Sequence, residues 1–593
     1  MLEECAPLGR ICVPNAGGCL TCSPDTRSCA GDGFDIALCR GDGSASDVVA
    51  RCEPEQGLVC SVGGCASACS VAEETRSYEG CDYWAVDLDN AVVSDLGAAA
   101  AQQFSVVVTN PLEVPAEVTV EVNDAPPGQP PQIREVARVH LARVVGAGDL
   151  QVINLDPREV DGSPDPRKNE GPGTFLSSNA YHIRSTAPII AYQFNPLENV
   201  NVFSNDASLL LPSRSLDRTY DVLSWPQTLA VTNEAATNGN IHLRAFLTIV
   251  GMEAQTHVAV RLSTATIPGP GIPAGAPGET LNFSLGAFDV INLETGGFNA
   301  DFSGSRVTAD KPVAVFAGGE ASDVPTFTTF AERDCCADHL EEQLFPTASF
   351  GTEFVAVKTP SRTLYVRETG MNVALVEHEP EYWRLLATRD GTEVRTNLLP
   401  PNNRFDLSAG EVITFATDRD FVVETSRPVS FAQFPASAQT TGIPTLVDGK
   451  RAPNGDPSAI MIPPIGQWRS KYVFLTPNKY TFDFLLIAMP ATSDLLFDGE
   501  ELADVLPRCE YVGAGPVRIG GAPQVTEYVA IRCPLSDPVV EDLFNPIYQN
   551  DGRHVLESVD GQKFGLIVWG WDSYVSYGYP AGTDVRAINI EIQ

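Results

Sequence analysis

The chain has 593 residues, of which 43% are hydrophobic and 19% charged, a composition typical of folded proteins and not of disordered ones. Its length exceeds the roughly 250–300 residues at which a single core stops growing, so about four domains are expected. With 39 basic and 76 acidic residues the formal net charge is −37, which excludes nucleic acid as an expected partner. Because calcium prefers carboxylate oxygens, calcium is the one cofactor that this composition suggests.

The segment 1–80 is predicted to be a small leader with little secondary structure, held together by disulfides because it is too small and polar to build a core. Only Cys19 and Cys22 have the spacing of a zinc knuckle, and the segment has no histidine, so disulfides are favoured over zinc. Disulfides place the protein outside the cytosol, in the extracellular space or at a cell surface. Eleven cysteines precede residue 82: Cys5, Cys12, Cys19, Cys22, Cys29, Cys39, Cys52, Cys60, Cys65, Cys69 and Cys81.

The eleven cysteines before residue 82 cannot all pair among themselves. Either one pairs with Cys335 or Cys336, or Cys5 is free, lipidated or bonded to another chain. The first residues lack the pattern of a signal peptide, so we expect that an export signal was removed from this numbering or that the start is misassigned. No apolar run approaches the 18 residues of a membrane-spanning helix.

From Asp82 onward the chain reads as short β-strands, such as Val118–Val122 and Val258–Leu262, separated by Gly, Pro, Asn and Asp. A proline opens a strongly apolar run three times, at Pro188, Pro312 and Pro428. Because Pro is tolerated at the first residue of a strand, each run is predicted to begin there. The recurrence predicts tandem repeats of about 120 residues.

The predicted fold is all-β, with about four β-sandwich-like repeats behind the leader. A closed, propeller-like arrangement is the alternative. The last repeat is degenerate, with Phe564–Trp569 in the place of the apolar strand. The predicted repeats are 81–217, 218–350, 351–470 and 471–593.

Two acidic loops are candidates for calcium. One contains Asp87 and Asp89, and the other runs from residue 156 to 165 and contains Glu159 and Asp161. Neither has the spacing of an EF-hand, and solvated acidic loops are the alternative interpretation.

An unusual cluster, Asp334 to Glu342, combines Cys335 and Cys336 with His339 and carboxylates. It is compatible with a transition metal, with a disulfide or with a reactive thiol. Cys509 and Cys533 are predicted to pair with each other.

The sequence shows no catalytic motif: HExxH, GxSxG and phosphate-binding loops are absent. The protein is therefore predicted not to be an enzyme. Aromatic residues near the C-terminus are candidates for a binding face: Trp569, Trp571, Tyr574, Tyr577 and Tyr579. The final run, 585–592, is predicted to be a strand that completes its own sheet or joins a neighbouring subunit.

Three segments carry a resemblance to a known family: Asn205–Pro212, Tyr220–Leu223 and Phe564–Pro580. Together they resemble the N-terminal domain family of IgG Fc-binding proteins, over about residues 81–580. The Cys-rich leader is similar to those of bacterial secreted or lipid-anchored members. The resemblance implies extracellular binding or adhesion without known catalysis, and it assigns no Fc-contacting residue.

The leading hypothesis is therefore an extracellular or cell-surface adhesion or ligand-binding protein, whose partner is a protein or glycan on another surface. The alternatives are a structural subunit of a filament, tube or surface layer, which binds copies of itself, and a carbohydrate-active enzyme with paired carboxylates.

Overall fold

The computed structural model describes residues 11–12, 19–31, 33–92, 99–112, 114–142, 150–165, 168–197, 204–227, 243–334, 336–477, 480–518, 525–536, 538 and 551–589. Across these ranges strands dominate and the predicted all-β class is confirmed. The three α-helices there are short: α1 (Ala68–Thr75), α2 (Arg362–Glu368) and α3 (Leu502–Val505). No helix in the described ranges is long and apolar enough to cross a membrane.

The leader has more regular structure than its composition predicts, because disulfides hold short hairpins that have almost no core of their own. Its strands β1–β7 are Ile11–Cys12, Cys19–Leu20, Arg27–Ala30, Asp35–Cys39, Ser46–Arg51, Leu58–Ser61 and Gly64–Ser67. Its disulfides are Cys22–Cys39, Cys29–Cys60, Cys52–Cys65 and Cys69–Cys81. The last of these ties α1 to the first strand of the following sheet, so the leader is covalently stapled to the body.

The first β unit is built around one long strand, β14, that two half-sheets share. The N-terminal half of β14 pairs with β8 and β10, and its C-terminal half pairs with β9 and β15. β10 alternates buried and half-buried residues, as expected of a sheet with one face towards solvent. In the C-terminal half of β14, by contrast, residues 187–195 are all buried. Strands β8–β15 are Gly80–Ala85, Ser105–Thr109, Ala116–Asn123, Ile133–Leu141, Leu150–Asn154, Phe175–Ser177, Tyr181–Asn195 and Asp206–Leu209.

The second unit repeats this plan around its own long strand, β21. Its strands β16–β22 are Asp217–Asp221, Ala245–Gly251, Thr256–Arg261, Thr280–Leu285, Val290–Glu294, Arg306–Ser322 and Asp338–Gln343. β13 lies within the first predicted repeat, but it pairs with β20 of the second unit. The two units are therefore joined by a shared strand as well as by the chain.

The third unit is built around β28 in the same way. Its strands β23–β31 are Gly351–Ala356, Glu381–Ala387, Thr392–Thr396, Arg404–Leu407, Val412–Thr417, Phe421–Pro435, Leu446–Val447, Lys450–Arg451 and Ile460–Met461.

In the fourth unit two strands, β38 and β39, replace the long one, which agrees with its degenerate sequence. Strands β32–β40 are Lys471–Thr476, Phe482–Pro490, Leu495–Phe497, Glu500–Glu501, Glu510–Val517, Thr526–Pro534, Gly552–Ser558, Gly565–Asp572 and Val575–Pro580.

The three repeated prolines do not begin their strands as predicted. Pro188, Pro312 and Pro428 lie inside β14, β21 and β28, where the pairing register shifts between the two halves of each long strand. A proline donates no hydrogen bond, and a bulge is one place in a strand where no donor is needed.

The start of the first unit contacts the end of the fourth, so the four units form a closed ring. Ser77 and Asp584 form an isolated antiparallel bridge, and the amide of Tyr78 donates to the carbonyl of Thr583 at 3.0 Å. Beside this bridge, Arg469 forms ion pairs of 2.9 Å with both Glu79 and Asp584. The inner edge strands meet at the centre, where β15 contacts β22 and β40.

Candidate metal centre

The two acidic loops predicted from sequence meet in the structure. Asp89 lies just after β8, and Glu159 and Asp161 lie after β12. Oxygen atoms of these three side chains lie within 4.8 Å of one another, and all three residues are buried. The loops are in direct contact, since the Asn90 amide donates to Glu159 Oε1.

Two further carboxylates come from the second unit and were not predicted. Glu294 ends β20 and Glu320 lies in β21, and their oxygens form a second group with Asp89, again within 4.8 Å. Both glutamates lie in strongly apolar runs, Val290–Glu294 and Val315–Glu320, and a charged residue ending such a run is the signal that sequence reasoning missed. The acidic cluster is the set Asp89, Glu159, Asp161, Glu294 and Glu320.

Glycines allow the backbone to approach the acidic cluster closely. A Cβ atom on Gly173, whose φ is +77°, would lie 1.9 Å from Glu294 Oε2, and one on Gly171 would lie 2.5 Å from Asp161 Oδ2. The Gly171 amide donates to Asp161 Oδ2 at 3.2 Å. The glycines on either side of Pro172 therefore let this segment pack directly against the carboxylates, which residues with side chains at these two positions would prevent.

The acidic cluster is short of positive charge. Arg244 donates from Nη1 to Glu294 Oε2 at 3.1 Å and from its backbone amide to Glu320 Oε1 at 3.1 Å. Burial, and then the negative charge of neighbouring carboxylates, raises the pKa of Asp89 and Glu159 well above the usual range. Burial likewise raises the pKa of Asp161.

Two oxygens of the acidic cluster have no hydrogen-bond partner although both are buried. They are Asp89 Oδ1 and Glu159 Oε2, on side chains of residues that are 2% and 4% exposed. The other oxygen of Glu159 accepts a bond of 3.2 Å from the Asn90 amide. Buried polar atoms nearly always have a partner, so these two oxygens mark a place where a positively charged ligand fits.

Two of the predicted metal-binding residues lie outside the acidic cluster. Asp87 accepts a bond of 2.9 Å from the Arg158 amide, and burial raises its pKa to about 7. His339 is fully buried with Nε2 3.3 Å from Glu341 Oε2, and burial lowers its pKa to about 3, so the ring is neutral. Among the described residues, neither joins a group of three ligands.

Other buried carboxylates hold the four units together at the centre. Asp206 of the first unit accepts a bond of 3.0 Å from the Ala459 amide of the third. Asp338 accepts bonds from the amides of Asn205 at 2.7 Å and Ser576 at 3.1 Å. These carboxylates serve as acceptors for edge-strand amides that would otherwise lack partners.

The aromatic residues near the C-terminus do not form the predicted binding face. Trp569, Trp571, Tyr577 and Tyr579 are 0% exposed and belong to the core. Only Tyr574 reaches the surface, half-buried, with its hydroxyl 2.8 Å from Thr445 Oγ1. These aromatics lie in β39 and β40, both faces of which are buried.

The predicted pair Cys509–Cys533 is confirmed as a disulfide. Cys336 is also disulfide-bonded, which removes its thiol as a metal ligand or a reactive group. Cys5 and Cys335 lie outside the described residues, as do the side chains of Cys12 and Cys19.

The described part of the C-terminal run, residues 585–589, forms no strand. Asn589 donates from its amide to the Ala348 carbonyl at 2.9 Å, and the amide of Arg586 donates to Gln467 Oε1 at 3.2 Å. The described part of this segment is therefore hydrogen-bonded within its own chain.

The fold and the leader define a class: disulfide-stapled all-β proteins made of repeated units. Within that class, residues 206–570 match a family model described as IgGFc binding protein, which is more than half of the sequence, and the chain belongs to this family. The chain is also 25% identical over 299 residues to the human protein named "IgGFc-binding protein". That alignment covers 50% of this chain and 5% of the human protein. No solved structure matches the chain.

Proposed function

We propose that this protein acts outside the cell, as a non-catalytic ligand-binding or adhesion protein whose partner is another protein. The observation that carries the proposal is the family match, which covers the second and third units, most of the fourth and only the last residues of the first. The five described disulfides support an extracellular location. The resemblance of the leader to those of bacterial members further supports secretion or surface anchoring.

The fourth unit offers a surface suited to a protein partner. Tyr511 and Val512, on the edge strand β36, are 55% and 44% exposed, and the nearby Val559 is 61% exposed. Tyr511 and Val559 line a surface cavity of about 240 Å³. An exposed aromatic side chain beside a surface cavity is typical of residues that carry binding energy, and an exposed edge strand accepts extended peptides.

The name of the human relative makes the Fc fragment of IgG the first partner to test. Interferometry with the immobilised full chain is expected to show saturable binding of human Fc and none of Fab. Tyr511→Ala is expected to weaken that binding about tenfold or more, because a central aromatic anchor is removed. Leu399→Ala is the control, since Leu399 is 72% exposed and does not line this cavity.

Equal binding of Fab and Fc, or no saturation with Fc at about 100 μM, would contradict Fc as the partner. Equal losses in the Tyr511 and Leu399 variants would contradict the assignment of the surface.

A further inference from the structure

We propose that the acidic cluster binds a calcium ion, which secures the first unit to the second. The carboxylates around the site come from both units: Asp89, Glu159 and Asp161 from one side, Glu294 and Glu320 from the other. This inference concerns how the ring is held together and does not depend on the identity of the binding partner.

The charge balance of the acidic cluster favours a cation. Among the described residues, the five carboxylates face one guanidinium, that of Arg244, which is in contact with Glu294. Asn292 and Asn169 supply only neutral donors, at 3.0 Å to Glu294 Oε1 and 2.9 Å to Glu320 Oε2. Like charges buried without compensation are costly, and a divalent ion offsets two of them.

The unpartnered oxygens indicate where the ion lies. Glu294 and Glu320 are the carboxylates already bonded to Arg244 and the asparagines. The buried oxygens without partners, Asp89 Oδ1 and Glu159 Oε2, belong to the group with Asp161. The ion therefore fits among these three, and Asp89, which is shared by both groups, connects it to the second unit.

The donor set favours calcium over other metals. All ligands are oxygens, and neither group contains a cysteine or histidine, which disfavours zinc and copper. Calcium accepts six to eight oxygens at irregular angles, whereas magnesium demands a near-ideal octahedron and retains its waters. Asn169 Oδ1, which is also buried without a partner, is a further oxygen beside the cluster.

Protonation of the carboxylates is the alternative to a calcium ion in the acidic cluster. Without an ion, Asp89 and Glu294 are close enough to share a proton, and the cluster would then be neutral and structural. Under this alternative the protein responds to pH but not to calcium, so a calcium titration separates the two.

The test is calorimetric titration of the chelator-stripped full chain with calcium chloride near neutral pH, together with thermal unfolding. We expect one ion per chain, with a dissociation constant of about 1 mM or tighter, as in extracellular calcium modules. We also expect saturating calcium to raise the unfolding temperature by several degrees. Magnesium at equal concentration is expected to have a much smaller effect.

Glu159→Gln keeps the shape of the side chain and removes a ligand charge, and it is expected to weaken calcium binding about tenfold or more. In chelator the variant is expected to unfold at the same temperature as the native chain or higher, because repulsion is relieved. In saturating calcium it is expected to unfold at a lower temperature than the native chain. Glu253→Gln, at an exposed carboxylate, is the control that changes neither value.

If the variant is at least as stable as the native chain in chelator but less stable in saturating calcium, Glu159 acts as a calcium ligand. A merely structural residue would not reverse the order of the two unfolding temperatures. No binding heat and no thermal shift in millimolar calcium would overturn the proposal. So would an unchanged calcium affinity in Glu159→Gln.

Discussion

Buried tyrosine hydroxyls recur at one position in three of the four units. Tyr220 donates to the Val313 carbonyl at 2.8 Å, and Tyr472 donates to the Phe564 carbonyl at 2.6 Å. Tyr83 has the same relation to Ile189, whereas the third unit has Phe354 at this position. In the first two units the accepting carbonyl lies beside the bulge of the long strand, and in the fourth unit it lies just before β39.

Tyr220→Phe is expected to lower the free energy of unfolding by about 1 kcal/mol, because a buried carbonyl loses its donor. Urea denaturation measures this. Tyr574→Phe is the control, with an expected loss below about 0.5 kcal/mol, since its partner is accessible to water. Equal losses at both positions would contradict the role of the buried hydroxyl.

Gly173 is needed because it has no side chain as well as because its φ is positive. Gly173→Ala places a methyl group against Glu294 and strains a positive φ, and we expect it to cost more than about 1 kcal/mol of stability. Gly278→Ala is a matched control, because its φ is +86° but no atom lies within 4 Å of the added Cβ. Thermal unfolding of the two variants separates the effect of the contact with Glu294 from the effect of the positive φ. Equal destabilisation of both variants would show that the contact with Glu294 contributes nothing.

At the scale of elements, the pattern of residues predicted the strands well, but it predicted poorly which parts of the chain pack against each strand. The two acidic loops were recognised because their carboxylates are close in sequence, but nothing local indicated that Glu294 and Glu320 would join them. A strand's side-chain period shows which residues share a face, and it does not show which unit covers that face. The buried Trp569 and Trp571 were misread as surface for the same reason.

The disulfide Cys509–Cys533 connects the start of the edge strand β36 to its neighbour β37 across a sequence separation of 24. Replacing both cysteines with serine is expected to cost about 3 kcal/mol in the chain-entropy model. Amide exchange is expected to accelerate in β36 and to stay unchanged in β10 of the first unit. Unchanged protection in β36 would show that pairing with β37 is sufficient to hold this strand.

For the whole molecule, closure of the ring depends on Arg469. Arg469→Met removes both ion pairs to Glu79 and Asp584, and we expect a loss of about 2 kcal/mol, since hydrogen bonds to charged groups contribute more than neutral ones. Arg261→Met, at an exposed strand position, is the control. Limited proteolysis near residue 77 is expected to accelerate only in Arg469→Met, and an equal rate in both variants would argue against a closing role.

The buried carboxylates make stability depend on pH. Burial raises the pKa of Asp87 to about 7 and of Asp572 to about 6, whereas in the unfolded chain such groups titrate near pH 4. The folded protein therefore retains protons that the unfolded chain releases. The free energy of unfolding is expected to fall as pH rises from about 4 to 7.

Denaturation midpoints measured in chelator across this pH range test the expectation. A midpoint that rises between pH 5 and 7 in chelator would contradict this account.

The bridge between Ser77 and Asp584 also sets the order in which the protein can mature. It joins residues about 500 positions apart, so the ring cannot close until residue 584 has been synthesised, and contacts of such long sequence separation form slowly. Until then the central edge strands lack their acceptors. The unfinished protein is consequently the form most exposed to aggregation, and chaperones are needed most in that interval.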